Sequence, residues 1–208
     1  DEIGVLTNVL ASSIGSLTNP QRLANTFQSS SNLKLSQFTI SSYIDYLIDS
    51  FLIERVHRFD VKGRKYIGTP MKYYFVDVGL RNARLNFRQQ EENHIMENII
   101  YNELLRRRYS VDLGGRRINK KKNNKYVKKQ LEIDFIANKG DKRYYIQSAY
   151  EISNEEKIRQ ELQSFRNVDD SFKKIIIQRI PTKPWYNEQG VLYMSIMDFL
   201  LNPDSLEI

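Results

Sequence analysis

The run Gln130-Leu131-Glu132-Ile133-Asp134-Phe135-Ile136-Ala137, the link Asn138-Lys139-Gly140-Asp141-Lys142 and the run Arg143-Tyr144-Tyr145-Ile146-Gln147-Ser148-Ala149-Tyr150 decide how this chain folds. Both runs are rich in β-branched and aromatic residues, and the glycine-containing link is short enough to reverse the chain. An antiparallel hairpin is predicted. Downstream, Glu155–Phe165 puts Ile158, Leu162 and Phe165 on one helical face. Lys174–Gln178 and Val191–Met194 read as buried strands, and Ile196–Leu200 as a short helix. Upstream, Ile95, Ile99, Leu104 and Leu105 mark a helix from about His94 to Arg108. Tyr109–Leu113 then reads as a short strand, which Gly114-Gly115 turns into a basic segment. A helix, a meander of strands and a crossover helix to further strands build a mixed sheet with helices on its faces.

The first part of the chain has a different pattern. Ile3, Leu6, Leu10, Ile14 and Leu17 are spaced as one face of a helix over residues 2–17. Asn19-Pro20 reads as an N-cap followed by proline at the first helical position, opening a second helix to about Gln28, with a loop at Ser29–Asn32. Ser36 caps a third helix, with Ile40, Ile44, Leu47, Ile48 and Phe51 as its buried stripe. Leu52–Phe59, a turn at Asp60–Arg64 and Met71–Val76 follow with strand character, and Asn82–Glu92 reads as a linker. Three helices and a β-hairpin are the order of a winged helix-turn-helix. The expected fold is therefore α+β or α/β in two domains, a winged helix over 1–90 and a mixed-sheet domain over 91–208. The outer face of the third helix offers Gln37, Thr39, Ser41, Ser42, Asp45, Tyr46 and Asp49, without a cation, which argues against sequence reading in the major groove. The wing is richer, with Arg55, Arg58, Lys62, Arg64, Lys65 and Lys72.

The chain has 208 residues, 40% hydrophobic and 27% charged, enough for a real core and unlike a disordered composition. No apolar run reaches the roughly 18 residues of a membrane span, so no membrane partner and a cytoplasmic location are expected. Beginning at Asp1 rather than Met, the sequence reads as a piece of a longer protein. The lack of cysteine excludes disulfides, thiolate metal sites and cysteine nucleophiles. Two histidines, His57 and His94, are too few for a histidine-rich zinc site. Trp185 reads as a packing aromatic, and most of the 13 tyrosines fall where strands favour them.

The basic excess is local. Arg116, Arg117, Lys120, Lys121, Lys122, Lys125, Lys128 and Lys129 stand together without an intervening acid, and without these eight the net charge of +7 becomes −1. Such a run suits a phosphate backbone, and with Arg64 and Lys65 of the wing it forms the candidate nucleic-acid surface. It equally suits a solvated hairpin tip.

Glu97 on a helix, Asp134 on one strand and Gln147 on the next resemble the PD-(D/E)xK nuclease arrangement. In that fold a helix Glu, a strand Asp and an (Asp/Glu)-x-Lys strand surround a divalent metal, with carboxylates holding Mg²⁺ against phosphate and the lysine serving water and charge. Here Gln147 replaces the carboxylate and Ala149 the lysine, so the resemblance implies a restriction-endonuclease-like sheet with a degenerate site. The formal site is Glu97, Asp134 and Gln147, with Glu97 and Asp134 as ligands of Mg²⁺ only if the site works. Lys157 or Arg159 on the next helix are candidates for a displaced lysine.

The runs Lys72-Tyr73-Tyr74-Phe75-Val76-Asp77-Val78-Gly79-Leu80-Arg81, Met96-Glu97-Asn98-Ile99-Ile100-Tyr101-Asn102-Glu103-Leu104, Glu132-Ile133-Asp134-Phe135 and Tyr145-Ile146-Gln147-Ser148-Ala149-Tyr150 carry a narrower resemblance. Together they are similar to the C-terminal region of a bacterial and archaeal family of AAA-type ATPases, a domain of unknown function appended to the ATPase module. The resemblance covers about residues 1–200 and implies an ATPase module, with its ATP and Mg²⁺, preceding Asp1. The chain itself has no Gly-x-x-x-x-Gly-Lys-(Ser/Thr) loop, since Gly63 and Gly68 are followed by Thr69, so no cofactor is expected in it. The expected role is a non-catalytic binding or regulatory region that contacts its own ATPase module and either nucleic acid or a protein partner. A metal-dependent nuclease with a variant site and an oligomerisation or docking module stand as alternatives.

Overall fold

The computed structural model describes residues 2–31, 34–89, 91–122, 125–151, 155–165, 168 and 170–208; at 30, 31, 116–122, 125–131, 155 and 160 the description is of the backbone. The chain is a mixed α+β protein. Helices flank eight strands that hydrogen-bond in the order β2-β1-β3-β4-β5-β6-β8-β7, with both parallel and antiparallel neighbours. Two compact units are present, residues 1–57 with 68–99 and residues 58–67 with 100–208. The division therefore runs through a hairpin and a helix rather than falling at one point near residue 90.

The first unit begins with α1 (Glu2–Ser12), α2 (Pro20–Ser31) and α3 (Gln37–Asp49). α1 is shorter than its apolar spacing predicts. Ser13 turns its hydroxyl back to the Val9 carbonyl, and Gly15 at φ +71° ends any helical path, so Ile14 reaches the core from a turn. The caps of the next two helices are as expected. Asn19 Oδ1 accepts the Arg22 N–H at 2.8 Å, and Ser36 Oγ accepts the Thr39 N–H at 3.0 Å. α2 runs on to Ser31 through the predicted loop at Ser29. Ile40, Ile44 and Leu47 are buried, but Phe51 is exposed at φ +57°, because it belongs to the turn after α3.

β1 (Ile53–Asp60) and β2 (Lys65–Phe75) form the hairpin, β2 beginning six residues earlier than predicted. The predicted linker is partly helical: α4 (Val78–Arg84) opens where Asp77 Oδ1 accepts the Gly79 and Leu80 N–H groups. Arg81 is fully buried and donates from Nε to the Ala11 carbonyl at 2.9 Å, tying α4 to α1. The Asp-Val-Gly-Leu-Arg run is thus a cap and an anchor. α5 (Glu92–Arg106) follows, and its residues to Ile99 belong to this unit.

In the second unit, β3 (Ser110–Lys122), β4 (Lys125–Lys139) and β5 (Lys142–Ala149) form an antiparallel meander, with Gly140 at φ +62° in the predicted β4–β5 turn. Gly114 and Gly115 do not turn the chain; they lie inside β3 next to a bulge. A Cβ on Gly114 would stand 2.7 Å from Ile133 Cβ, and one on Gly115 would stand 2.9 Å from Arg58 Nη2, so both mark close packing. The basic segment is consequently a two-strand ribbon in register from Arg116↔Leu131 to Lys122↔Lys125. After α6 (Glu155–Phe165), β6 (Lys173–Gln178) lies parallel to β5, and β8 (Leu192–Ser195) lies parallel to β6. The short β7 (Trp185–Tyr186) was not anticipated; Trp185 stacks on Tyr193 at 4.5 Å.

α7 (Ile196–Leu201) and a closing 3₁₀ turn (Ser205–Glu207) are held by Arg107. Its guanidinium donates to Glu103 Oε1 at 2.7 Å, to the carbonyls of Phe199, Asn202 and Pro203, and to Ser205 Oγ. Replacing Arg107 by Met leaves Glu103 buried with one partner fewer, and the carbonyls of Phe199, Asn202 and Pro203 without this donor. Arg107→Met is expected to lower stability by about 3 kcal/mol in urea denaturation.

Candidate functional site

β4 and β5 pair in the register Phe135↔Ile146, which brings Asp134 beside Gln147. There the ladder between them stops, while β5 continues alongside β6 as far as Ala149↔Gln178. The two strands splay, and Asp134 fills the opening. Its Oδ2 accepts the Ser148 N–H at 2.9 Å, and its own N–H makes a long contact of 3.4 Å with Gln147 Oε1. Asp134 is buried, so its carboxylate takes the place of a lost ladder partner.

Gln147 also meets α6. Burial pushes the Glu161 carboxyl above its ordinary value, opposed by a hydrogen bond from Gln147 and by Lys157. Glu161 was missed in the sequence because its place between Gln160 and Leu162 reads as the rim of an amphipathic helix; only packing against β5 makes it part of this group. Lys157 Nζ lies 3.9 Å from Glu151 at the surface. Ala149 is buried in a cluster with Leu162, Phe165, Ile176 and Tyr193, so the position of the missing lysine is core.

Glu97 falls in the first unit, and its contacts are there. Its Oε1 accepts from Lys72 Nζ at 2.7 Å and from the Tyr74 hydroxyl, and His94 Nδ1 lies 3.8 Å from Oε2. Burial opposes charge on Glu97, but Lys72, His94 and Tyr74 together hold its carboxyl below the ordinary value. The neighbouring Asn98 is fully buried and pairs with both backbone groups of Phe75, donating to O at 2.8 Å and accepting from N–H at 2.9 Å. The Glu-Asn pair therefore clamps α5 onto the end of β2.

These residues do not fit a divalent cation as the nuclease pattern requires. Asp134 is engaged by a backbone N–H, Gln147 carries no charge and Glu97 is ion-paired to Lys72. Among the described residues, no three Asp, Glu or His side chains gather closely enough to hold a metal ion.

The expected wing cations divide in two. Arg58 and Lys72 are buried, so neither is on a binding surface, and Arg55 pairs with Asp45 at 2.5 Å. Lys62, Arg64 and Lys65 are exposed. Arg116, Arg117, Lys120, Lys121, Lys122, Lys125, Lys128 and Lys129 lie on the β3–β4 ribbon. No described helix is long and apolar enough to cross a membrane.

The family model of a domain of unknown function, DUF8612, matches residues 1–91. Over 195 residues the chain is 35% identical to an uncharacterized protein of Haemophilus influenzae, covering 92% of the chain and 44% of that relative. It is 28% identical over 199 residues to an uncharacterized protein of Methanocaldococcus jannaschii, covering 95% of the chain and 41% of the relative. The chain thus spans less than half the length of these curated relatives. No solved structure matches it.

Two consequences are measurable. A carboxylate held below its ordinary value stabilises the fold above the unfolded value near 4.5, and that contribution is lost as pH falls through the lower folded value. The urea midpoint of the wild type is expected to drop on this acid limb, and Glu97→Gln to flatten the dependence there. Ala149→Lys, which restores the nuclease motif on paper, is expected to destabilise the protein by about 1–3 kcal/mol through overpacking and burial of an ammonium group, read as a lower thermal midpoint.

Proposed function

We propose that this chain is a nucleic-acid-binding region of a larger ATPase, with a winged-helix-like first part and a nuclease-like sheet that no longer cleaves. The β3–β4 ribbon carries this reading. Eight cations fall on two paired strands, with Lys122 opposite Lys125 at the end of the described register. A two-stranded β-ribbon is narrow enough for the major groove of duplex DNA, and a lysine-rich one gains affinity by releasing counterions.

Several observations support the remaining parts. Three helices, the second and third capped by Asn19 and Ser36, lead into a hairpin, the order of a winged helix. An α-β-β-β-α-β order with β5 and β6 parallel agrees with a nuclease-like sheet. Asp134 bonded to Ser148, with Ala149 in the core, favours a structural use of the former catalytic positions. The chain makes up less than half of its relatives' length, which leaves room for an ATPase module in a protein of this kind. ATP and Mg²⁺ would belong to that module, which would be the chain's first partner.

The test is binding to labelled duplex DNA across salt concentrations. Replacing Lys120, Lys121 and Lys122 by Ala is expected to weaken all sequences alike and to flatten the log–log salt slope by up to about 2.7. An unchanged slope would take the ribbon off the DNA and favour protein docking. With Mg²⁺ or Mn²⁺ the wild type is expected to leave plasmid intact. Cleavage that disappears in Asp134→Ala would overturn the non-catalytic reading.

A further inference from the structure

The second unit contains a cavity of about 430 Å³ lined by Phe59, Val61, Lys62, Arg64, Arg143, Asp170 and Phe172. None of these residues belongs to the Asp134 group or to the ribbon. The size lies within the roughly 300–1,000 Å³ of small-ligand pockets.

Its walls are built rather than incidental. Phe59 and Phe172 flank the Arg143 guanidinium, whose carbon lies 5.9 and 5.3 Å from the two ring centres. Arg143 is positioned from behind by Asn138, which accepts its Nε–H at 2.7 Å. Phe59 is braced edge-on by Tyr66 at 5.4 Å, and Tyr66 is anchored on Asp112. Asp60 Oδ1 accepts the N–H groups of Lys62 and Gly63, which fixes the loop presenting Lys62 and Arg64. Arg64 holds a left-handed backbone at φ +49° within that loop.

The charge balance calls for an anion. Among the described lining residues, Lys62, Arg64 and Arg143 face one carboxylate, Asp170, which already accepts the Tyr145 hydroxyl at 2.6 Å and the Phe172 N–H at 3.2 Å. The ligand should therefore present a flat ring to phenyl groups and a negative charge to exposed cations. A nucleotide does both, since bases stack on aromatic rings whatever their sequence and phosphates pair with Lys and Arg.

We infer that this cavity binds one nucleotide of a single strand, its base against the exposed ring of Phe172 and its phosphate against Lys62 and Arg64. The inference rests on the nucleic-acid reading and adds a substrate class to it: strands with an unpaired base, which a duplex-binding ribbon alone does not select.

The experiment compares the full chain with Phe172→Leu and with the double variant Lys62→Ala, Arg64→Ala. Fluorescence anisotropy is read on a labelled 12-nucleotide oligo-dT strand, on a 12-base-pair duplex and, by calorimetry, on free dTMP. Phe172→Leu keeps an apolar wall but removes the stacking ring. It is expected to weaken single-strand binding about tenfold, through the lost base stacking, with duplex affinity and thermal midpoint unchanged. The double variant is expected to flatten the single-strand salt slope by about 1.4. Equal losses of Phe172→Leu on strand and duplex, or none on either, would overturn the slot while leaving the nucleic-acid reading intact. If neither polymer binds, that broader reading fails; dTMP binding lost in Phe172→Leu would still support the slot, and no dTMP binding would overturn it. Displacement of oligo-dT by an acidic tyrosine-containing peptide, with no dTMP binding, would assign the cavity to a protein ligand and overturn the inference.

Discussion

The first unit depends on a buried clamp between one turn of α5 and the end of β2. Glu97 takes Lys72 and Tyr74, and Asn98 takes both backbone groups of Phe75. A buried charge is tolerated only when paired and hydrogen-bonded, and here each partner satisfies the other. Asn98 does what another strand would do, because its amide offers the same donor and acceptor as a peptide group. The three residues on β2 and the two on α5 are therefore chosen together.

The same economy of polar groups shapes the second unit. Where β4 and β5 part, one backbone N–H loses its ladder partner, and the Asp134 carboxylate replaces it. A carboxylate at a splayed strand pair is well placed for metal chemistry in principle. In this chain the residues around it favour packing: Gln147 leans toward Glu161, and Ala149 lets α6 settle onto the sheet through Leu162 and Phe165. A lysine at 149 would hold α6 away.

Cations are sorted by burial. Arg58, Lys72, Arg81 and Arg107 lie inside, and the last three tie distant segments together. Lys62, Arg64 and Lys65 remain exposed. The buried four lie far apart in the sequence, whereas the eight cations of the ribbon are consecutive or nearly so.

Much of the local structure was legible in the residues themselves. Asn19, Ser36 and Gly140 announce two helix starts and a hairpin, because caps and turns are decided by a side chain and its nearest backbone. Asp134 and Gln147 could be placed on neighbouring strands for the same local reason. The sequence misled where a residue's neighbours are distant. Gly114 and Gly115 look like a turn but make room for Ile133 and Arg58. Lys72 and Arg58 look like wing cations but are buried, and the partner of Lys72, Glu97, comes from 25 residues away in the chain. Glu97 has the spacing of a metal ligand, yet its charge is already matched. The sequence by itself determined most of the helices and strands and where charge accumulates, because those follow from short-range periodicity and composition, while α4, β7 and the full length of β3 did not show in it. Only the tertiary structure decided which charged groups are enclosed and by what, because burial depends on contacts between residues far apart in the chain.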